Sequence, residues 1–144
     1  MRLKPEGKMP LLEWDDSLDV HVDDMNDQHQ VLLKMMNELY DGTAAGMTRI
    51  DALDRLGKLF EYTVKHFKEE EEYMESIGYE GLKSHQLIHK NLIDRLTELA
   101  NGFKDSTEEK LPADFFNFLK FWLSAHIKGI DMKYGEASTA QKAV

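Results

Sequence analysis

Cysteine is absent from the 144 residues. The chain therefore has no disulfide framework, no thiolate metal site and no cysteine-held iron–sulfur cluster. Any metal must be held by nitrogen and oxygen, and a reducing compartment fits. Basic side chains are scarce: 18 Lys and Arg stand against 27 Asp and Glu, a net charge of −9. Nucleic-acid binding needs a basic face that displaces counterions, and anionic membrane attracts Lys and Arg, so neither partner is expected. No apolar run approaches the roughly 18 residues of a membrane-spanning helix. The opening MRLKPEGKMPLLEW lacks the apolar stretch of a secretory leader. A cytoplasmic protein without membrane insertion is the expectation.

Proline is confined to Pro5, Pro10 and Pro112, which leaves the middle of the chain free to be helical. Gly42 and Gly46 bracket a first loop, DGTAAGMT, in which Thr48 suits the cap of a second helix ending near Gly78. A third helix is expected to fade around Asn101 and Gly102. The polar connector KDSTEEK follows, with Pro112 in the first turn of a fourth helix that Gly129 loosens. No strand-like alternation of useful length occurs. Short loops between consecutive helices favour antiparallel neighbours, hence an all-α, up-down-up-down antiparallel four-helix bundle. Residues 1–13 read as an extended N-terminal arm anchored by Trp14, 14–134 as the helical domain and 135–144 as a C-terminal tail. Such a bundle is complete in one chain, so a monomer is expected.

What the sequence does have is histidine in the wrong places. Val22, Met25, His29, Leu32, Met36 and Leu39 form one stripe at helical spacing; Leu82, His85, His89, Leu92, Leu96, Leu99 and Phe103 form another. Phe116, Leu119, Leu123, His126 and Ile130 make a third, and Leu56, Leu59, Thr63, His66 and Glu70 a more mixed fourth. Steps of three and four put these side chains on the buried face of a helix. Burying five imidazoles and a carboxylate costs several kcal/mol unless each finds a partner. A metal centre is the economical partner.

His66 with Glu70, and His85 with His89, are four apart, so each pair points one way about a turn apart. His126 and Asp131 are five apart, which separates them by about 140° on an ideal helix. They converge only if the helix ends or distorts near Gly129. Nitrogen and oxygen donors without sulfur suit iron, manganese or zinc. Two octahedral ions offer about twelve positions. Five histidines, two bridging carboxylates and one bridging hydroxide fill all but about one of them, which suits a single small ligand.

The segments DQHQ, HFKEEE, HQLIH and HIKGID resemble the hemerythrin family, and the chain length is similar to that of a stand-alone bacteriohemerythrin. The family pattern is a histidine on the first helix, then H-x3-E, H-x3-H and H-x4-D, met here in order from roughly Trp14 to Tyr134. The resemblance implies a non-haem diiron centre, oxo- or hydroxo-bridged, that binds O2 reversibly as carrier, store or sensor. It implies one iron on His85, His89 and His126, the other on His29 and His66 with the open position, and Glu70 and Asp131 as bridges. Leu123, Phe67, Trp122 and Ile127 are the candidate wall of the O2 pocket, excluding protons from the bound ligand. The partner is O2 or another small diatomic ligand, with an O2-consuming protein as a recipient.

The chain departs from the family pattern at His21, where relatives usually carry glycine, and at Asn26, which replaces an aspartate. An Asn26 that orients a ligand imidazole would alter its basicity. Those two residues motivate the competing expectation, a diiron redox enzyme acting on peroxide, nitric oxide or ferrous iron. Fewer carboxylates than catalytic diiron bundles carry favours binding without turnover, not an enzyme. Of the acidic run Glu69 to Glu72, only Glu70 is expected to face inward, the others being solvated helix surface.

Overall fold

The computed structural model describes residues 11–142. Helix α1 spans Asp23–Ala44, α2 Arg49–Ser76, α3 Leu82–Asp105 and α4 Ala113–His126. A π-helical turn, Ile127–Asp131, carries α4 directly into α5, Met132–Lys142. These last three pieces form the fourth rod of an antiparallel four-helix bundle. Most of each predicted stripe lies inside, with Leu32, Met36, Leu59 and Leu119 at or near zero exposure. Leu82, Leu92 and Leu99 are half-buried at its edge, and Ile130 lies outside the core, where the π turn buries Ile127 instead. Among the described residues no helix is long and apolar enough to cross a membrane.

Local chemistry sets the helix ends. Asp23 and Asp24 open α1, where carboxylates complement the positive end of the helix dipole. The Thr48 hydroxyl accepts the Asp51 N–H at 3.2 Å and caps α2. Gly78, with φ +64°, closes α2 in a left-handed conformation that glycine adopts without strain. Pro112 stands just ahead of α4 rather than inside its first turn. Helix α3 runs past the expected end at Gly102, because Phe103 is buried and the Arg49 guanidinium donates to the carbonyls of Phe103, Lys104 and Glu108. The carbonyls of Phe103 and Lys104 are among those a helix terminus otherwise leaves unpaired.

Both ends of the described segment are tied down. Residues 1–10 of the expected arm lie outside the described residues. Beyond them, Leu11 is buried, and the Asn37 side chain exchanges two hydrogen bonds with the Leu12 backbone, at 3.1 and 2.8 Å. Trp14 is half-buried against the core. Residues 135–142 are helix rather than a tail. Ser138 is buried, with its hydroxyl 2.5 Å from that of Tyr73. A Cβ on Gly135 would lie 1.9 Å from the Val20 carbonyl oxygen, so only glycine lets α5 approach the segment before α1 this closely.

Candidate metal centre

Each helix brings its share of the site to the same level of the bundle. α1 supplies His29, α2 His66 and Glu70 one turn apart, α3 His85 and His89, α4 His126, and the π turn Asp131. All seven are buried, Glu70, Asp131 and His29 completely. The π turn answers the problem of the five-residue spacing: backbone pairing from i to i+5 brings Asp131 under His126, as an α-helix would not.

The carboxylates divide their oxygens. Glu70 Oε1 faces His89 Nε2 at 2.9 Å and His85 Nε2 at 3.4 Å, while its Oε2 faces His29 Nε2 at 3.3 Å and His66 Nε2 at 3.4 Å. Asp131 Oδ1 faces His85 and His126 Nε2, each at 3.0 Å, and its Oδ2 faces His29 Nε2 at 3.1 Å. Two donor groups result, Glu70, His85, His89, His126 and Asp131, and His29, His66, Glu70 and Asp131, with the donor atoms of each group within 4.8 Å of one another. Both carboxylates belong to both groups.

Despite these short separations, His29, His85, His89 and His126 Nε2, Glu70 Oε1 and both Asp131 oxygens make no hydrogen bond of normal geometry among the described residues. Buried polar atoms left this way are expensive. Atoms that converge without pairing are what a cation between them requires, and imidazole with carboxylate is a donor set for a first-row metal. The residues fit one.

Electrostatics point the same way. Burial pushes His29 down, but Asp131 and Glu70 beside it outweigh that and lift it to about 9. His85 is likewise pushed down by burial and lifted by the same two carboxylates to about 9. Burial raises Glu70, yet His66, His29 and His85 hold it well below the carboxylate range. Asp131 is raised by burial and by Glu70, and lowered further by His126 and His29, for a net downward shift.

Several residues around the site escaped the sequence reading. Glu71, expected to be inert surface, accepts from His89 Nδ1 at 2.8 Å. Gln28 Oε1 lies 2.6 Å from His66 Nδ1, and its amide donates to Glu69 Oε1 at 3.2 Å. The hydroxyl of Tyr134, fully buried, donates to Glu70 Oε2 at 2.7 Å, and its own pKa is pushed up by burial and then by Glu70 and Asp131. The available signal was position: Gln28 and Glu71 are chain neighbours of His29 and Glu70, and Tyr134 is one turn beyond Asp131. Asn26, in contrast, orients no imidazole. It accepts the Val20 N–H at 3.0 Å and donates to Asp19 at 2.8 Å, which shapes the turn before α1. His21 is exposed beside Asp19 in that turn.

Of the apolar candidates, Phe67 stacks flat on His89, with centroids 3.7 Å apart and planes 4° apart, and tilts against His66 and His126 at 5.8 Å each. Trp122 meets Phe67 edge-on at 6.0 Å. Leu123 and Ile127, flanking His126 along the chain, are buried.

The family model for the hemerythrin HHE cation binding domain matches residues 20–137. The chain belongs to the hemerythrin family. Hemerythrins bind O2, and the metal this family implies is non-haem iron, to which the donor set above is suited. The chain is 31% identical over 128 residues to a bacteriohemerythrin of Stenotrophomonas maltophilia, covering 89% of this chain and 82% of that protein. It is 35% identical over 122 residues to a myohemerythrin of Theromyzon tessulatum, covering 85% and 89%. A crystal structure of wild-type hemerythrin superposes with a TM-score of 0.79 at 31% identity, over 88% of this chain and 96% of that one. The matched segment includes Gly135 and ends inside α5.

Proposed function

We propose that this hemerythrin holds two iron ions and binds O2 reversibly, without turnover. The reading is carried by one observation: Glu70 and Asp131 each turn one oxygen to the His85, His89 and His126 group and the other to the His29 and His66 group. In this reading His85, His89 and His126 would hold one iron and His29 and His66 the other, with Glu70 and Asp131 available to both. The ions would supply the electrons on which reversible O2 binding depends.

The chain's residues do the rest. One group has three imidazoles and the other two, so the side of His29 and His66 would leave room for an incoming diatomic. Phe67, Trp122, Leu123 and Ile127 are proposed as the pocket wall. Phe67 covers the face of His89 with hydrocarbon and tilts against His126, and an apolar wall delivers no proton to a bound ligand. Tyr134 donates to Glu70 Oε2 and so restricts rotation of that carboxylate. A turnover reading loses the support His21 and Asn26 gave it, since both serve the turn before α1.

Iron-loaded protein, reduced without air, exposed to O2 and returned to vacuum, tests this. Charge-transfer bands that rise with O2 and vanish under vacuum are expected. Irreversible bleaching to the oxidised form, with steady consumption of peroxide, would replace the carrier reading with a redox enzyme.

A further inference from the structure

The two histidine groups are supported from behind by partners of different charge. His89 points Nε2 at Glu70, so its Nδ1 carries the outward N–H, and the acceptor it meets is the Glu71 carboxylate at 2.8 Å. His66 points Nε2 at the other oxygen of Glu70 and meets Gln28 Oε1 at 2.6 Å. The Gln28 amide is fixed in that orientation, because its NH2 group donates to Glu69 Oε1 at 3.2 Å; a flipped amide would set donor against donor. His29 Nδ1 and His85 Nδ1 have no hydrogen-bond partner among the described residues. Between His89 and His66 the contrast rests on Glu71 and Gln28.

We propose that Glu71 and Gln28 make the two groups unequal electron donors, so that a metal on His85, His89 and His126 favours a higher oxidation state than one on His29 and His66. This rests on the two-metal reading above. An imidazole that donates its second N–H to a carboxylate is a more basic ligand than one donating to a neutral amide. The extra electron density stabilises the more positive ion. Behind His66 Nδ1 the carboxylate, Glu69, lies one amide farther away, beyond Gln28. The Glu71 side chain keeps 26% of its exposure. It sits in a groove of about 370 Å³ between α2 and α3, which Lys68 and Lys90 also line. Both residues are positioning residues, since each acts on the metal only through an imidazole.

The test compares wild type with Glu71→Gln and Gln28→Glu, which keep size and an acceptor oxygen while exchanging charge. Zinc titration counts the metal sites, circular dichroism checks the helices, and spectroelectrochemistry of the iron-loaded proteins reads the potential. Glu71→Gln is expected to shift the ratio of oxidised to reduced metal about tenfold towards reduced, 59 mV for one electron. Gln28→Glu is expected to shift it about tenfold the other way. Two zinc ions in every protein with unmoved potentials would overturn the proposal alone, whereas fewer than two in wild type would overturn the underlying reading. If Glu71→Gln fails to load, the fall in potential of Gln28→Glu decides. Failure of both to load also overturns the proposal, because partners matched in size would then act by shape.

Discussion

Asp131 turns Oδ1 to His126 Nε2 at 3.0 Å, across a π-helical turn that compensates for the five residues between them. Its second oxygen reaches His29 on α1 at 3.1 Å. Asp131 and Glu70 are thus common to both donor groups, whereas each histidine serves one. Asp131→Asn and Glu70→Gln should each lower bound zinc from two ions per chain to fewer than one. His29→Ala should leave the group of three histidines and retain about one. Metal analysis after gel filtration separates the cases, and equal losses in all three variants would contradict the shared-carboxylate arrangement.

The histidine shifts carry a pH dependence with a definite sign. His29 and His85 are each raised to about 9 in the folded, metal-free chain, above the usual 6.5. Their contribution to stability is fully present below pH 6.5 and is lost as pH rises through 9. Metal-free protein should therefore melt at a lower temperature at pH 9 than at pH 6.5, and the zinc-loaded form should lack this decline. Because a ligand imidazole must give up its proton, zinc binding near pH 7.5 should release protons into weak buffer. Proton-neutral binding there would refute the shifts.

Leu123→Ala should separate pocket from ligand. Truncating a buried leucine costs about 2–5 kcal/mol, so the variant melts earlier. Its metal content should match wild type, because no donor atom is lost, while its O2 adduct decays faster. An adduct lifetime equal to that of wild type would remove Leu123 from the pocket wall.

His21 is the one non-glycine residue with positive φ among those described, at +62°. The left-handed conformation costs a residue with a Cβ roughly 1–2 kcal/mol. Here that strain coincides with a position where the family pattern usually has glycine. His21→Gly should stabilise the protein by about 1 kcal/mol, since the backbone N–H that donates to Asp19 at 2.8 Å is kept. Thermal melts would show a rise of about 3 °C; a fall would mean that the imidazole contributes an interaction of its own.

Gly135→Ala should do the opposite. The added methyl meets the Val20 carbonyl oxygen at 1.9 Å, and backbone rather than a flexible side chain has to move. Overpacking of this kind costs about 1–3 kcal/mol. An unchanged denaturation midpoint would mean that α5 does not pack against the turn before α1 as described.

The helices and the donor inventory were legible along the chain because both are local. Spacings of three and four place His29, His85 and His89 on buried faces regardless of what lies opposite, and His66 with Glu70 needs one turn of one helix to align. The same locality marked the distortion near Gly129, since five residues on an ideal helix cannot bring Asp131 beneath His126. Local reasoning failed where the partner lay on another element. Glu71 reads as solvated surface until α3 brings His89 Nδ1 to it, and nothing along the chain marks Gln28 until α2 brings His66. Tyr134 acquires its acceptor on α2 only because α5 docks, which in turn depends on the missing Cβ of Gly135 beside Val20. Helical periodicity fixes the direction of a side chain about its own axis. The pairing of atoms between helices depends on relative height and approach, which only the packed bundle decides.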